Sequence, residues 1–393
     1  MACRFQAFAD CTDAGEDMRV SQEVLDAQGR WKIDGKPVRN AGLVLFFGGR
    51  ALLEDPAAFQ QMRQRHPAAI LMGCSTAGEI CGTRVSDDTI VATAIEFEHT
   101  QLQLVTTTVG DAADSRAAGR RLAGSLDSPG LVHVFVLSDG LHVNGSELVN
   151  GLRDRLPQGV VSTGGLSGDG ARFGRTLVSA NAPAVEKQIA ALGFYGDRLR
   201  VGFGSLGGWD PFGPERLITR SRGNVLFELD GESALTLYKR YLGKHATGLP
   251  ATGLLFPLAL RVAAQQQPVV RTILGVNEAE QSLTFAGDMP EGAHARLMKA
   301  NFERLIDGAV DAARISQRLA DGPPQLAILI SCFGRKLVLK QRIEEEVEGV
   351  RDVLGVHTAL SGFYSYGEIS PHTPNADCEL HNQTMTITTL SET

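Results

Sequence analysis

Four small-residue runs hold most of the side chains able to do chemistry, and each follows an apolar stretch. They are Gly73-Cys-Ser75-Thr-Ala-Gly78-Glu79, Ser138-Asp139-Gly140 with His142 close behind, Ser162-Thr-Gly164-Gly165-Leu-Ser167-Gly168-Asp169-Gly170, and Ser361-Gly362-Phe-Tyr364-Ser365-Tyr366-Gly367-Glu368. Serine beside histidine and aspartate invites a hydrolase reading, but the spacing is wrong. The second glycine after Ser75 falls one place late for a nucleophile elbow. Ser138, Asp139 and His142 crowd into five residues, whereas a triad draws its members from separate strand ends. With Glu368 they are the plausible catalytic actors, and their spacing defines no mechanism. The expectation is a protein that binds and is not an enzyme. Gly165-Leu-Ser-Gly168-Asp-Gly170 only loosely resembles a dinucleotide loop. Glycine loops at strand ends still make ligand walls, because their free N–H groups can meet an anion or carboxylate.

The chain has nine histidines. Most stand alone and read as satisfied or exposed side chains. His142 sits at a strand end. His381, in Leu380-His-Asn-Gln-Thr-Met385, would share one face of an alternating strand with Gln383 and Met385. One imidazole on an apolar wall is what a five-coordinate haem needs, and it is equally what a capped strand histidine looks like. The cysteines at 3, 11, 74, 81, 332 and 378 form no Cys-x-x-Cys pair, so thiols packed as small hydrophobes are expected. Cys74 and Cys81 are the one close pair, with nothing basic nearby to activate either.

The elements that must position these runs repeat. Leu43–Phe47, Val132–Leu137 and Leu326–Ile330 each lead through a small-residue turn and a helix to a short strand and a glycine-rich loop. The first and third units end alike, as Gly73-x4-Gly78-Glu79-Ile80 and Gly362-x4-Gly367-Glu368-Ile369. The second departs, with Thr163 in place of the leading glycine and Asp169-Gly170 in place of Glu-Ile. The stretches 176–179, 189–195, 199–203 and 216–221 read as strands that could pair as hairpins, and Gly207–Pro214 as a loop. The fold class is α/β: two α/β lobes built from repeated strand–glycine loop–helix–strand units, with mixed sheets. An N-terminal extension (1–39) precedes lobes at 40–224 and 225–393. At 393 residues two domains are expected. Net charge is −7 with no basic block, which argues against nucleic acid. Strand-length apolar runs and a start without a secretion pattern point to a cytoplasmic protein with no membrane span.

At these motifs the chain resembles the FIST-domain family, with N-terminal and C-terminal FIST regions both present. The resemblance rests on the four runs above, on Gly202-Phe-Gly204-Ser with Gly207-Gly208-Trp209, on Leu229-Asp230-Gly231 and on Leu380–Met385. It implies a bacterial signal-transduction sensor for small ligands such as amino acids. A branch of the family implies haem that senses nitric oxide and signals to a separate histidine kinase or cyclic-di-GMP enzyme. Under that branch His381 is the iron ligand, with Tyr364, Tyr366 and Met385 beside it. Under the haem-free alternative, Glu79 or Glu368 meets a ligand's ammonium group. Ser75, Ser138, Asp139, Ser167, Gly164 and Gly165 then line the rest of an amino-acid or similar polar pocket.

Overall fold

Each of the three apolar runs folds as a fully or nearly fully buried strand, as its unbroken Val, Leu, Ile and Phe content requires when both faces are covered. The computed structural model describes residues 18–26, 29–34, 36–262, 268–320, 322–373 and 376–393. Cys3, Cys11 and residues 1–17 of the expected N-terminal extension lie outside these. In unit one, Leu43–Gly48 runs parallel to Ile70–Ser75, and Ile90–Phe97 returns antiparallel on its other side. The connecting helix Pro56–Arg65 starts with proline in its first turn. Asp55 caps it, accepting from the Ala57 amide at 2.9 Å. Unit two repeats the plan with Leu131–Ser138, Val161–Leu166 and Gln188–Tyr195. Unit three repeats it with Leu326–Cys332, Ala359–Ser365 and Met385–Glu392.

The units exchange strands in a ring. Glu79–Cys81, leaving unit one, pairs with Ala359–Ser365 of unit three. Gly367–Pro371, leaving unit three, pairs with Val161–Leu166 of unit two. Val178–Ala180, leaving unit two, pairs with Ile70–Ser75 of unit one. Three six-stranded mixed sheets result, related by a pseudo-threefold axis. Their inner faces share one core that includes Phe47, Leu137, Ile330 and Phe363. The internal repetition expected from the sequence is therefore real, but its alignment needs one correction. The second unit keeps its leading glycine, as Gly164 rather than at the place of Thr163. A Cβ on Gly73, Gly164 or Gly362 would overlap the carbonyl oxygen of Phe46, Val136 or Leu329, which are equivalent positions on the neighbouring strands.

The second lobe is an antiparallel sheet of eight strands spanning Asp210 to Lys299. Helix Ala234–Leu242 covers it through Leu235, Leu237 and Tyr238. Both lobes are α/β, as expected. The boundary near residue 225 falls in the turn between two paired strands of this sheet, so spatially the second lobe is an insertion between units two and three. Gly207–Pro214 is not wholly loop. A strand begins at Asp210, and the pairing skips from Pro211 to Glu215, so the break in register absorbs the prolines that cannot donate. Met18–Leu25 is no extension but a full strand beside Ile90–Phe97. Gln188–Tyr195 and Leu199–Leu206 do not pair with each other. They join different sheets, through Leu131–Ser138 and Met385–Glu392.

Candidate ligand-binding site

At the axis, the loops that carry the chemistry clasp one another through backbone. The Gly168 amide donates to Ser75 O (2.9 Å), Ala77 to Tyr364 O (2.8 Å) and Tyr366 to Leu166 O (3.2 Å). These are equivalent atoms of the three units, so the glycine loops do converge, but on each other. Ser75 is buried and its hydroxyl accepts from the Leu177 amide at 2.8 Å. Ser138 donates to the Asp139 carbonyl, and Asp139 takes the amides of Leu141, His142 and Lys187, all at 2.8 Å. Gly165 lies under Ile330, with no room for a ligand. Its alanine variant would place a methyl group 2.8 Å from Ile330 Cγ2. We expect Gly165→Ala to lose about 1–3 kcal/mol by overpacking, read from urea unfolding. Only Ser167 of this set keeps a spare group, a buried hydroxyl with no partner among the described residues.

Glu79 and Glu368 do not wait for an ammonium ion. Each is buried and held by a pair of hydroxylated residues at equivalent places in its unit. Glu79 accepts from Thr76 Oγ1 (2.5 Å) and from Thr89 Oγ1 (2.8 Å) and N (3.1 Å). Glu368 accepts from Ser365 Oγ (2.6 Å) and from Thr384 Oγ1 (3.0 Å) and N (3.3 Å). Burial pushes Glu79 up to about 7 and Glu368 up to about 8 against the pull of those donors. The matched Gly-Glu-Ile endings of units one and three thus encode a structural cage. The carboxylate of unit two, Asp169, sits one place earlier and is held differently. Burial alone would raise that carboxyl, but Tyr366, the Arg175 and Gly174 amides and Arg50 hold it below the usual range.

The residues proposed around haem do not form one site. His381 is fully buried. Its Nε2 lies 2.8 Å from Ser370 O, and its ring meets His372 edge-on at 4.5 Å. Burial, then His372, pushes the imidazole well below its ordinary pKa, so it stays neutral. Tyr364 is buried elsewhere, donating to Glu346 at 2.8 Å, and Met385 lies in the apolar cluster beneath it. Tyr366 alone of the four faces a cavity, and His381 is not in that cavity's wall. A porphyrin has no room among these four positions, and the residues do not fit the group. His372 lines a separate groove of about 500 Å³ with Trp209, Asp307 and Asp311. Cys74, Cys332 and Cys378 are buried thiols with pKa values raised by burial, as expected of small hydrophobes.

The cavity that Tyr366 faces lies between units two and three and under the second lobe, and it measures about 210 Å³. Unit two contributes Leu141, Asn144 and Phe173. Unit three contributes Cys332, Phe333 and Tyr366, and the second lobe closes it with Thr272, Leu274 and Phe285. Phe173 stacks on Tyr366 at 4.7 Å and meets Phe333 edge-on at 6.0 Å. The loop bearing Phe173 is pinned at its base: Tyr366 donates to Asp169 and to Gly170 O (2.7 Å), and Asp169 takes the Gly174 and Arg175 amides at 3.0 Å. Phe173 and Leu274 remain 44% and 48% exposed, which makes them the rim. Of the ligand and haem contacts expected from the sequence, Tyr366 reaches this wall; Gly140, Leu166, Cys332 and Ser365, also noted there, line it too. An aromatic between Gly170 and Gly174 was the signal for Phe173, whereas Thr272 and Leu274 carried none.

Residues 42–232 match the FIST N domain, and residues 234–371 match the FIST C domain. The chain belongs to the FIST family. FIST domains are sensory domains of signal transduction, and here the cavity is built by both of them. FIST N supplies units one and two, and FIST C most of the second lobe and all of unit three's first two strands. An uncharacterized protein of Methanocaldococcus jannaschii is 24% identical over 341 residues, which is 79% of this chain and 64% of that one. The chain therefore spans less than two thirds of that relative's length. Among solved structures, a cyanuric acid hydrolase of A. caulinodans is similar at 11% identity and TM-score 0.18, over 75% of this chain and all of that one. A likeness so slight carries no argument.

Proposed function

We propose that this FIST protein is a haem-free sensory module that takes a small ligand into the cavity between its lobes and turns nothing over. The signal passes to a separate partner. The supporting observation is the cavity itself. It is half-enclosed and mostly apolar, and it has a few polar groups and a hydrophobic rim where two repeats and the second lobe meet. Small-molecule sites have this character, and a ligand there would bias how the lobes sit against each other. At about 210 Å³ it is below the roughly 300–1,000 Å³ of drug-sized ligands, so the ligand is small.

The test is a thermal-shift screen of amino acids and small aromatic compounds against the full chain and Leu274→Trp. Leu274 is half exposed, so the larger ring fills the mouth without disturbing the core. The expected result is at least one compound that stabilises the native chain and loses its effect in the variant. Stabilisation that persists in Leu274→Trp would move the site elsewhere. A Soret band between 350 and 600 nm on adding haem, lost in His381→Ala, would restore the nitric-oxide reading with its histidine kinase or cyclic-di-GMP partner.

No helix among the described residues is long and apolar enough to cross a membrane.

A further inference from the structure

Among the described residues, the wall of the inter-lobe cavity contains no aspartate, glutamate, lysine, arginine or histidine. In a chain that is 21% charged, a contact surface drawn from three parts of the fold would ordinarily include some. Ionisable groups lie just behind it, and those named here are screened by a neutral neighbour or committed to another group. Asp288 is covered by Asn144, whose Nδ2 donates to it at 2.9 Å. Arg271, beneath Gly287, spends Nη1 on Leu380 O at 2.9 Å. Glu368 is covered by Ser365, which donates to it at 2.6 Å. The wall thiol, Cys332, is kept protonated by burial. What the cavity offers instead is four aromatic rings, those of Phe173, Phe285, Phe333 and Tyr366, and one buried side-chain polar atom that has no hydrogen-bond partner among the described residues. That atom is the hydroxyl of Thr272.

We infer that the ligand of this cavity is uncharged: a small, largely apolar, ring-bearing molecule with one neutral hydrogen-bonding group placed against Thr272. This rests on the reading of the cavity as the input site and narrows it, since a free amino acid brings two charges that nothing on the wall would pair. Moving an ion from water into such surroundings without a counter-charge is costly, whereas a ring buries favourably and an amide or hydroxyl needs only one partner. The unpaired Thr272 hydroxyl is itself a cost to the empty protein that a ligand group would remove.

Matched probes decide this. Benzamide, benzoate and benzylamine share size and ring and differ in charge at pH 7. Their binding to the full chain is followed by saturation-transfer NMR and titration calorimetry, with Leu274→Trp and Thr272→Val in parallel. The expected result is benzamide binding at least tenfold tighter than either ion. That binding should be abolished in Leu274→Trp and weakened several-fold in Thr272→Val, which keeps the shape and removes the hydroxyl. An ion that binds as tightly as benzamide, and is lost in Leu274→Trp, overturns the charge inference and leaves the cavity as the site. Absence of binding by all three probes, or binding indifferent to Leu274→Trp, removes the cavity as the site and this inference with it.

Discussion

Arg335→Ala should cost about 3–5 kcal/mol of stability. Arg335 and Glu346 are both wholly buried. Arg335 donates through Nε (3.1 Å) and Nη2 (2.7 Å) to Glu346 Oε2, through Nη1 to Gly207 O (2.5 Å) and through Nη2 to Leu305 O (2.7 Å). Glu346 Oε1 accepts from Ser331 (3.1 Å) and Tyr364 (2.8 Å). One guanidinium therefore joins helix Phe333–Leu339 to helices Phe302–Ala320 and Ile343–Leu354 and to the end of strand Leu199–Leu206. Truncating it leaves a carboxylate in the core without its counter-charge and takes a side-chain donor from the Gly207 and Leu305 carbonyls. That penalty, more than the loss of attraction, sets the size of the effect. The double variant Arg335→Met with Glu346→Leu, which removes both charges, should recover a large part of the loss. Urea unfolding of the native chain and the two variants measures it. A single-variant loss below about 1 kcal/mol, or a double variant as weak as Arg335→Ala, would show that the pair is not held as described.

The repeat was legible in the sequence because buried parallel strands must be continuous apolar runs, and a position pressed against the paired strand's carbonyl must be glycine. Both demands act locally, so Leu43–Phe47 with Gly73 and Leu326–Ile330 with Gly362 announce themselves. Matching the carboxylates by type puts Thr163 where Gly164 belongs, because Asp169 is not the counterpart of the two glutamates. It answers to Arg50, Tyr366 and its own loop, not to the hydroxyl cage of Glu79 and Glu368. The site was not legible for a different reason. Polar residues in glycine loops look alike whether they face a ligand or each other, and the ring of hydrogen bonds among Ser75, Ala77, Leu166, Gly168, Tyr364 and Tyr366 is a long-range property. The same holds for His381: alternation places it on a face, but which partner covers that face depends on His372 and Ser370. Thr272, Leu274 and Phe285 come from an inserted sheet whose position over units two and three no local pattern records.

Glu368→Gln should become progressively more stable than the native chain as pH rises from 5 to 9. Glu368 is raised to about 8 by burial, against an ordinary value of 4.5. The folded protein therefore holds a proton there across an interval in which the unfolded chain has released it. The stability this contributes is complete below the unfolded value and drains away as pH climbs through the folded one. A glutamine is neutral throughout. Its amide oxygen can take the Thr384 donors while its nitrogen sits beside Ser365, whose hydroxyl can turn to accept. At pH 5 the two proteins should differ little, and by pH 9 the variant should lead by roughly 2–4 kcal/mol. Comparing variant with native chain at each pH cancels groups of opposite sign, such as Glu23, whose carboxyl is held near 2 and which destabilises only on acidification. Glu79→Gln supplies the internal control. Its cage is equivalent and its value is about 7, so its advantage should begin over the same pH range but level off about one pH unit earlier and at a smaller size. Differences that stay flat from pH 5 to 9 in both variants would mean that the two cages hold carboxylates rather than protonated acids.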